Sequence, residues 1–148
     1  MPTVFLALGS NEGDRLAHLR QAVRELEARG VRVEAKSKIY ASQSVESGGD
    51  GDFLNAVARC QTNLSAPALL ALCQEIEVLA GRDKPEREGA KRAGSRALDL
   101  DILLFDDETW NTPSLEIPHP RALGRSFVLR PLLDVLGGGW VSETELEW

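Results

Sequence analysis

The chain has 148 residues, 43% of them hydrophobic and 27% charged, which suits one globular domain over residues 1–148 and is short for two. Folding a chain of this length buries roughly 68–70% of its unfolded surface, so neither a disulfide framework nor a structural metal is required. A formal net charge of −6, from 17 basic and 23 acidic residues, argues against the broad basic surface that nucleic-acid binding needs. No run approaches the roughly 18 apolar residues of a membrane span, and the N-terminus lacks the basic region of a signal peptide. Two cysteines, Cys60 and Cys73, lack a C-x-x-C spacing and read as reduced core residues of a cytoplasmic protein. No heptad or long apolar edge demands a partner, so the expectation is a monomer.

Val4-Phe5-Leu6-Ala7-Leu8 is continuously apolar and closed by Gly9-Ser10-Asn11, the pattern of a central strand buried on both faces. Leu16, Leu19, Val23 and Leu26 then recur at helical spacing between Asp14 and Gly30, which predicts an amphipathic helix. His18 on that helix reads as a surface residue. Residues 31–40 switch to a period of two, with Val31, Val33, Ala35 and Ile39 opposite Arg32, Glu34, Lys36 and Lys38, which predicts one strand. Ser42 to Asp52 has glycines at 48, 49 and 51 and no apolar pattern, so it reads as a loop. From Phe53 to about Gln61 a further strand puts Leu54, Ala56, Ala58 and Cys60 on one face and Phe53, Asn55 and Val57 on the other.

Ser65 is a suitable N-cap for a second helix, with Pro67 in its first turn. Its apolar stripe is Leu69, Leu72, Cys73, Ile76 and Leu79, and Gly81 ends it. Residues 83–95 are polar and broken by Pro85, Gly89 and Gly94, the composition of a long functional loop. Leu98 to Phe105 returns to strand, with Leu98, Leu100, Ile102 and Leu104 on one face. A last helical pattern, roughly Arg125 to Leu136, is interrupted by Pro131 and stopped by Gly137-Gly138-Gly139. The order β-α-β-β-α-β followed by a helix predicts an α+β, ferredoxin-like antiparallel sheet backed by helices.

Asp99 and Asp101 are the sharpest chemical signal. Two apart on a strand, their Cβ atoms lie ~6–7 Å apart on one face, where two carboxylates repel by roughly 2–3 kcal/mol at an effective dielectric near 20. A divalent cation turns that repulsion into binding, and hard oxygen ligands suit Mg²⁺ carrying a nucleotide's phosphates. Two solvated aspartates on an exposed strand face are the plainer alternative. Arg82, Arg96 and Arg125 flank the pair, and arginines beside a metal-carboxylate strand are what phosphoryl transfer uses to neutralise charge. A charged surface loop would look similar. Phe53 with Asn55, and Phe127 after Arg125, can stack on and read a flat heterocycle or can be core rings and a strand-edge amide. Gln74 and Glu77 share a helix face that also reads as solvated. His119 has no Cys or His partner at zinc spacing, leaving a hydrogen bond to a ligand or a turn cap.

Several motifs stand in order: Leu8-Gly9-Ser10-Asn11, Phe53-Leu54-Asn55-Ala56, Gln74-x-Ile76-Glu77, Gly81-Arg82, Arg96-x-Leu98-Asp99-Leu100-Asp101-Ile102, Ile117-Pro118-His119-Pro120-Arg121 and Arg125-x-Phe127-Val128-Leu129-x-Pro131-Leu132. Together, from about Thr3 to Leu133, they closely resemble the 6-hydroxymethyl-7,8-dihydropterin pyrophosphokinase family. The resemblance implies transfer of the β,γ-pyrophosphoryl group of ATP to the pterin's hydroxymethyl oxygen, with release of AMP. It implies that Asp99 and Asp101 hold two Mg²⁺ ions and that Arg82 and Arg96 stabilise charge. Phe53 and Phe127 would sandwich the pterin, Asn55 would read its edge, and backbone groups around Ser42 and Val45 would help. Gln74, Glu77, Arg96, His119 and Arg125 would contact ATP. Stretches near 9–13 with 42–52, and at 83–95, would match the lids that close over both substrates. Relatives often carry a Trp-Gly-Pro-Arg run where this chain has Ala93-Gly94-Ser95-Arg96, and prolines where it has Gln43 and Ser44. The competing class is a non-catalytic pterin- or nucleotide-binding sensor of ferredoxin-like fold, because fold does not fix function. Such a sensor has no need of the aspartate pair with Arg82 and Arg96.

Overall fold

The computed structural model describes residues 1–42, 53–81 and 97–136. Strand β1 (Thr3–Ser10) is the centre of the sheet, hydrogen-bonded on one side to β4 (Phe53–Thr62) and on the other to β5 (Asp99–Phe105). Both pairings are antiparallel, as is that of β4 with β2 (Val31–Lys36) beyond it. The order β2-β4-β1-β5, with helices α1 (Arg15–Ala28) and α2 (Ala66–Leu79) in the two crossovers, is the ferredoxin-like arrangement expected from the element order. Among the described residues, no helix is long and apolar enough to cross a membrane.

Sequence patterning explains the two faces of the sheet. Val4, Leu6, Leu8, Ala56, Ala58, Cys60, Leu100 and Ile102 pack on Leu19, Ala22, Leu26, Leu69, Cys73 and Ile76 of α1 and α2. The alternate residues Ala7, Val57 and Leu103 face the other way and pack under Val128, Leu132 and Val135 of α3 (Ser126–Val135). The sheet is therefore sandwiched between α1 and α2 on one side and α3 on the other, which is why β1 and β4 are buried on both faces. Asp14 caps α1 by accepting from the Ala17 N–H at 3.1 Å, and Ser65 caps α2 by accepting from the Ala68 N–H at 3.2 Å. Gly81, at φ +105°, ends α2 in the left-handed conformation that glycine adopts without strain.

Several expectations are corrected. The period-two stretch at 31–40 is not one strand: β2 stops at Lys36, and β3 (Tyr40–Ser42) resumes the pairing with β4. The break falls at Ser37, fully buried, whose N–H still donates to the Val57 carbonyl at 2.9 Å. Its hydroxyl, in place of a backbone carbonyl, accepts the Val57 N–H at 2.9 Å and donates to the Lys38 carbonyl at 2.7 Å. In β5 the alternation slips, because Phe5 pairs Leu104 but Leu6 pairs Ile102. The extra residue at this bulge sends Leu103 and Leu104 to the α3 side and Phe105 to the α1–α2 side. Leu79 is 59% exposed rather than part of the α2 stripe. Pro131 does not interrupt α3; it is buried within the helix, whose Val128, Leu132 and Val135 anchor it on the sheet. The short hairpin β6 (Trp110–Thr112) and β7 (Leu115–Ile117) has no counterpart in the sequence reading. His18 is half-buried with Nδ1 3.4 Å from the Ser10 hydroxyl, not simply on the surface.

Candidate active site

The bulk of α3 covers only part of its face of the sheet. Beside its first turn lies a cleft of about 380 Å³, floored by β1, β4 and β5 and walled by the chain from His119 to Val128. Asp99 and Asp101 pair with Gly9 and Ala7 of β1, and both line the cleft. Alternation along β5 before the bulge puts them on the face away from α1 and α2, since Leu98, Leu100 and Ile102 hold the other. Asp101 keeps 48% of its side chain exposed, so it remains available to a ligand.

His119 faces this pair. Its Nδ1 accepts the Ala122 N–H at 3.1 Å, across the turn that leads into the 3₁₀ segment Ala122–Gly124. An accepting Nδ1 carries no proton, so in the neutral ring the proton sits on Nε2, which lies 3.7 Å from Asp101 Oδ1. The turn is fixed further by the His119 N–H donating to the Leu103 carbonyl at 3.1 Å. His119 thus enters the cleft as a donor. Arg121 and Arg125 line the same wall, and the Arg125 guanidinium lies 5.5 Å from the centroid of the Phe127 ring, a cation–π distance.

The other end of the cleft is aromatic and amide-lined. Phe53 and Asn55 come from the start of β4, and Phe127 comes from the first turn of α3. Asn55 is 7% exposed. Its Nδ2 donates to the Ser42 hydroxyl at 2.8 Å and approaches the Tyr40 carbonyl at 3.4 Å. Gly9 lies beneath these groups: a Cβ there would stand 3.5 Å from Asn55 Oδ1 and 3.8 Å from the Phe53 ring.

The structure therefore gathers Phe53, Asn55, Asp99, Asp101, His119, Arg125 and Phe127 around one cleft and sets Ser42 against Asn55. Gln74 is exposed on α2 and does not line the cleft. Glu77 does not line it either. Far from sitting on a solvated face, it is 5% exposed, and its Oε2 accepts the Leu100 N–H at 2.8 Å, between the two aspartates. Val45, Arg82 and Arg96, with the stretches at 43–52 and 83–95, lie outside the described residues. Arg121 is a cleft residue to which the sequence reading gave no role, although it closes the Pro-His-Pro-Arg motif.

Among the described residues, no group of three or more His, Cys, Asp and Glu side chains is gathered as a metal cage. A Mg²⁺ ion bound with a nucleotide does not need one. It takes one or two carboxylates and completes an octahedron with phosphate oxygens and water, and the part-exposed carboxylates of Asp99 and Asp101 on the cleft floor fit that donor set.

A ferredoxin-like domain in which one cleft of the described residues joins a flat apolar and amide-lined end to an acidic and basic end suits a class: an enzyme that brings a heterocycle to a polyphosphate. Comparison with known proteins narrows the class. Residues 5–137 match the family model of 7,8-dihydro-6-hydroxymethylpterin-pyrophosphokinase (HPPK), and the chain belongs to that family. It is 42% identical over 132 residues to the 2-amino-4-hydroxy-6-hydroxymethyldihydropteridine pyrophosphokinase of Bacillus subtilis (strain 168), covering 88% of this chain and 76% of that protein. It is 40% identical over 134 residues to the folic acid synthesis protein fol1 of Pneumocystis carinii, covering 90% of this chain but only 17% of that much longer protein. A solved HPPK-DHPS structure in complex with substrates shares the fold, with a TM-score of 0.67 at 13% identity over 90% of this chain and 40% of the other.

Proposed function

We propose that this chain transfers the β,γ-pyrophosphoryl group of ATP to the hydroxymethyl oxygen of 6-hydroxymethyl-7,8-dihydropterin, giving the pterin diphosphate and AMP in folate biosynthesis. The observation that carries the proposal is the joining, in one cleft, of Phe53, Asn55 and Phe127 to Asp99, Asp101, His119 and Arg125. A pterin sensor would need the first set alone, and a nucleotide sensor the second alone. In the proposed reaction the hydroxymethyl oxygen attacks the β-phosphorus, the bond from that phosphorus to the α,β-bridging oxygen breaks, AMP departs, and the hydroxyl proton passes to solvent.

The chain's residues bind and orient. Phe53 and Phe127 take the pterin between their rings, and Asn55 Oδ1 offers its edge an acceptor. His119, with the proton on Nε2, donates to a phosphate oxygen, while Arg125, and with it Arg121, supplies positive charge along the polyphosphate. Asp99 and Asp101 would hold two Mg²⁺ ions, which supply neutralisation of phosphate charge and a lowered pKa for the attacking hydroxyl. Arg82 and Arg96 are assigned charge-stabilising roles, with Arg96 also contacting ATP. Gln74 and Glu77, which stand on α2 outside the described cleft, are assigned to the part of ATP that extends beyond it, and Ser42 and Val45 to the pterin. Two free, buried cysteines suit a reducing compartment, and we read the protein as a cytoplasmic monomer.

The test is pterin-dependent AMP release in Asp99→Ala and Asp101→Ala, each against wild type over a Mg²⁺ titration. Loss of turnover with pterin binding retained supports the assignment. Wild-type turnover in either variant overturns the metal site.

A further inference from the structure

Pterin recognition, as proposed above, depends on which end of the Asn55 amide faces the cleft. The Tyr40 carbonyl can only accept, so the amide's NH₂ end is the one turned toward β3. Oδ1 then faces Gly9 and the cleft. Reversing the amide would present donors to the ligand where an acceptor now stands, inverting the hydrogen-bond pattern that is read.

The element that enforces this orientation is weakly held by its own pairing. Among the described residues β3 spans three residues and pairs with β4 alone, and so short a strand has little independent stability. Its second anchor lies across the molecule in sequence. Asp134, near the end of α3, accepts from the Tyr40 hydroxyl at 2.9 Å and from the Lys38 N–H at 3.2 Å through the same Oδ2. Burial, and then the Asp134 carboxylate, hold the Tyr40 hydroxyl above the ordinary tyrosine range, so it stays a donor at neutral pH. Neither Tyr40 nor Asp134 lines the cleft. Their neighbours do: Asn55 is the register partner of Tyr40 on β4, and Phe127 is on the same helix as Asp134.

We propose that the Tyr40–Asp134 pair is a positioning clamp for heterocycle recognition. By fastening β3 to α3 it keeps the Tyr40 carbonyl and the Ser42 hydroxyl against Asn55 Nδ2, so that Oδ1 faces the ligand, and it holds that amide in one frame with the Phe127 ring. The inference rests on the pterin site assigned above. It makes Tyr40 and Asp134 determinants of pterin affinity far more than of ATP affinity, because Asp99, Asp101 and His119 stand on β5 and the His119 turn. Of the ATP residues only Arg125, at the head of α3, shares the clamped helix.

The clamp is tested with Tyr40→Phe, Asp134→Ala and the double variant, measuring pterin and ATP binding separately by calorimetry. Each single variant is expected to weaken pterin binding about tenfold and leave ATP binding within twofold. The double variant should be no weaker than the worse single variant, as expected for two ends of one contact. In ¹⁵N-labelled protein without ligand, the Asn55 side-chain amide signals should shift or broaden in both single variants, and they should keep their wild-type positions in Leu133→Ala, an exposed control on α3. Equal losses of pterin and ATP binding would reduce the pair to a general stabiliser and overturn the proposal, as would unchanged amide signals. Failure of the wild type to bind pterin would overturn the functional reading instead, and the ligand-free amide signals would still decide the clamp.

Discussion

Replacing Glu77 is the perturbation that most sharply separates a role in the fold from a role confined to ATP. Leu100 stands between Asp99 and Asp101 on β5, at the end of the sheet order, and its N–H donates to Glu77 Oε2 at 2.8 Å. Glu77 is 5% exposed, so water cannot readily replace it. Truncation to Ala leaves a buried N–H without this acceptor, and a hydrogen bond to a charged group contributes about 1.5–3 kcal/mol. At about 2–4 °C per kcal/mol for a chain near 150 residues, Glu77→Ala should lower Tm by roughly 3–12 °C. Glu77→Gln keeps a neutral acceptor and should cost about half as much. Urea denaturation and thermal melting of wild type, Ala and Gln variants measure this without any ligand. An Ala variant within about 0.5 kcal/mol of wild type, the range of an inert surface change, would show that the Leu100 contact does not hold the fold and leave Glu77 with a ligand role only.

Gly9 makes a different prediction, because a methyl group there fits at 3.5 Å from Asn55 Oδ1 but enters the cleft. Gly9→Ala should fold with a Tm within about 2–3 °C of wild type and bind pterin at least about tenfold more weakly by fluorescence titration, an affinity change of about 1.4 kcal/mol. Unaltered pterin affinity would remove Gly9 from the floor of the site. The cysteines give a pH prediction. Burial first, then the charges of Glu77 and Asp101, push the Cys73 thiol up to about 12, and burial raises Cys60 further. Raised thiols favour the protonated folded state, so their contribution is complete below the ordinary thiol range near 9 and is lost as pH climbs toward the folded values. Iodoacetamide at pH 8 should therefore leave both thiols unmodified in the native protein and label both in urea. Rapid native labelling of either would contradict their burial.

Much of this molecule was legible because local pattern and tertiary environment agree. β1 lies between β4 and β5 with a helix layer on each side, and a continuous apolar run is what such a strand requires. Asp14, Ser65 and Gly81 mark helix ends by chemistry that acts within four residues. The site motif was legible for a similar reason, since Asp99 and Asp101 need only strand alternation to share a face. What was not legible depends on contacts distant in sequence. Ser37 breaks the second strand because its hydroxyl finds Val57, 20 residues away. Leu104 changes face through a bulge set by the pairing of β1 with β5. Tyr40 and Asp134 are 94 residues apart, and nothing local to either indicates the other. Glu77 reads as a surface carboxylate until α2 is laid against the edge of β5.

The proposed reaction moves a pyrophosphoryl group and not a single phosphoryl group. Its most direct test is to follow ATP, AMP, ADP and the pterin products chromatographically, with and without 6-hydroxymethyl-7,8-dihydropterin, in the presence of Mg²⁺. AMP and pterin diphosphate should form in equal amounts, with no AMP when the pterin is omitted. ADP with a pterin monophosphate, or AMP release that ignores the pterin, would contradict it.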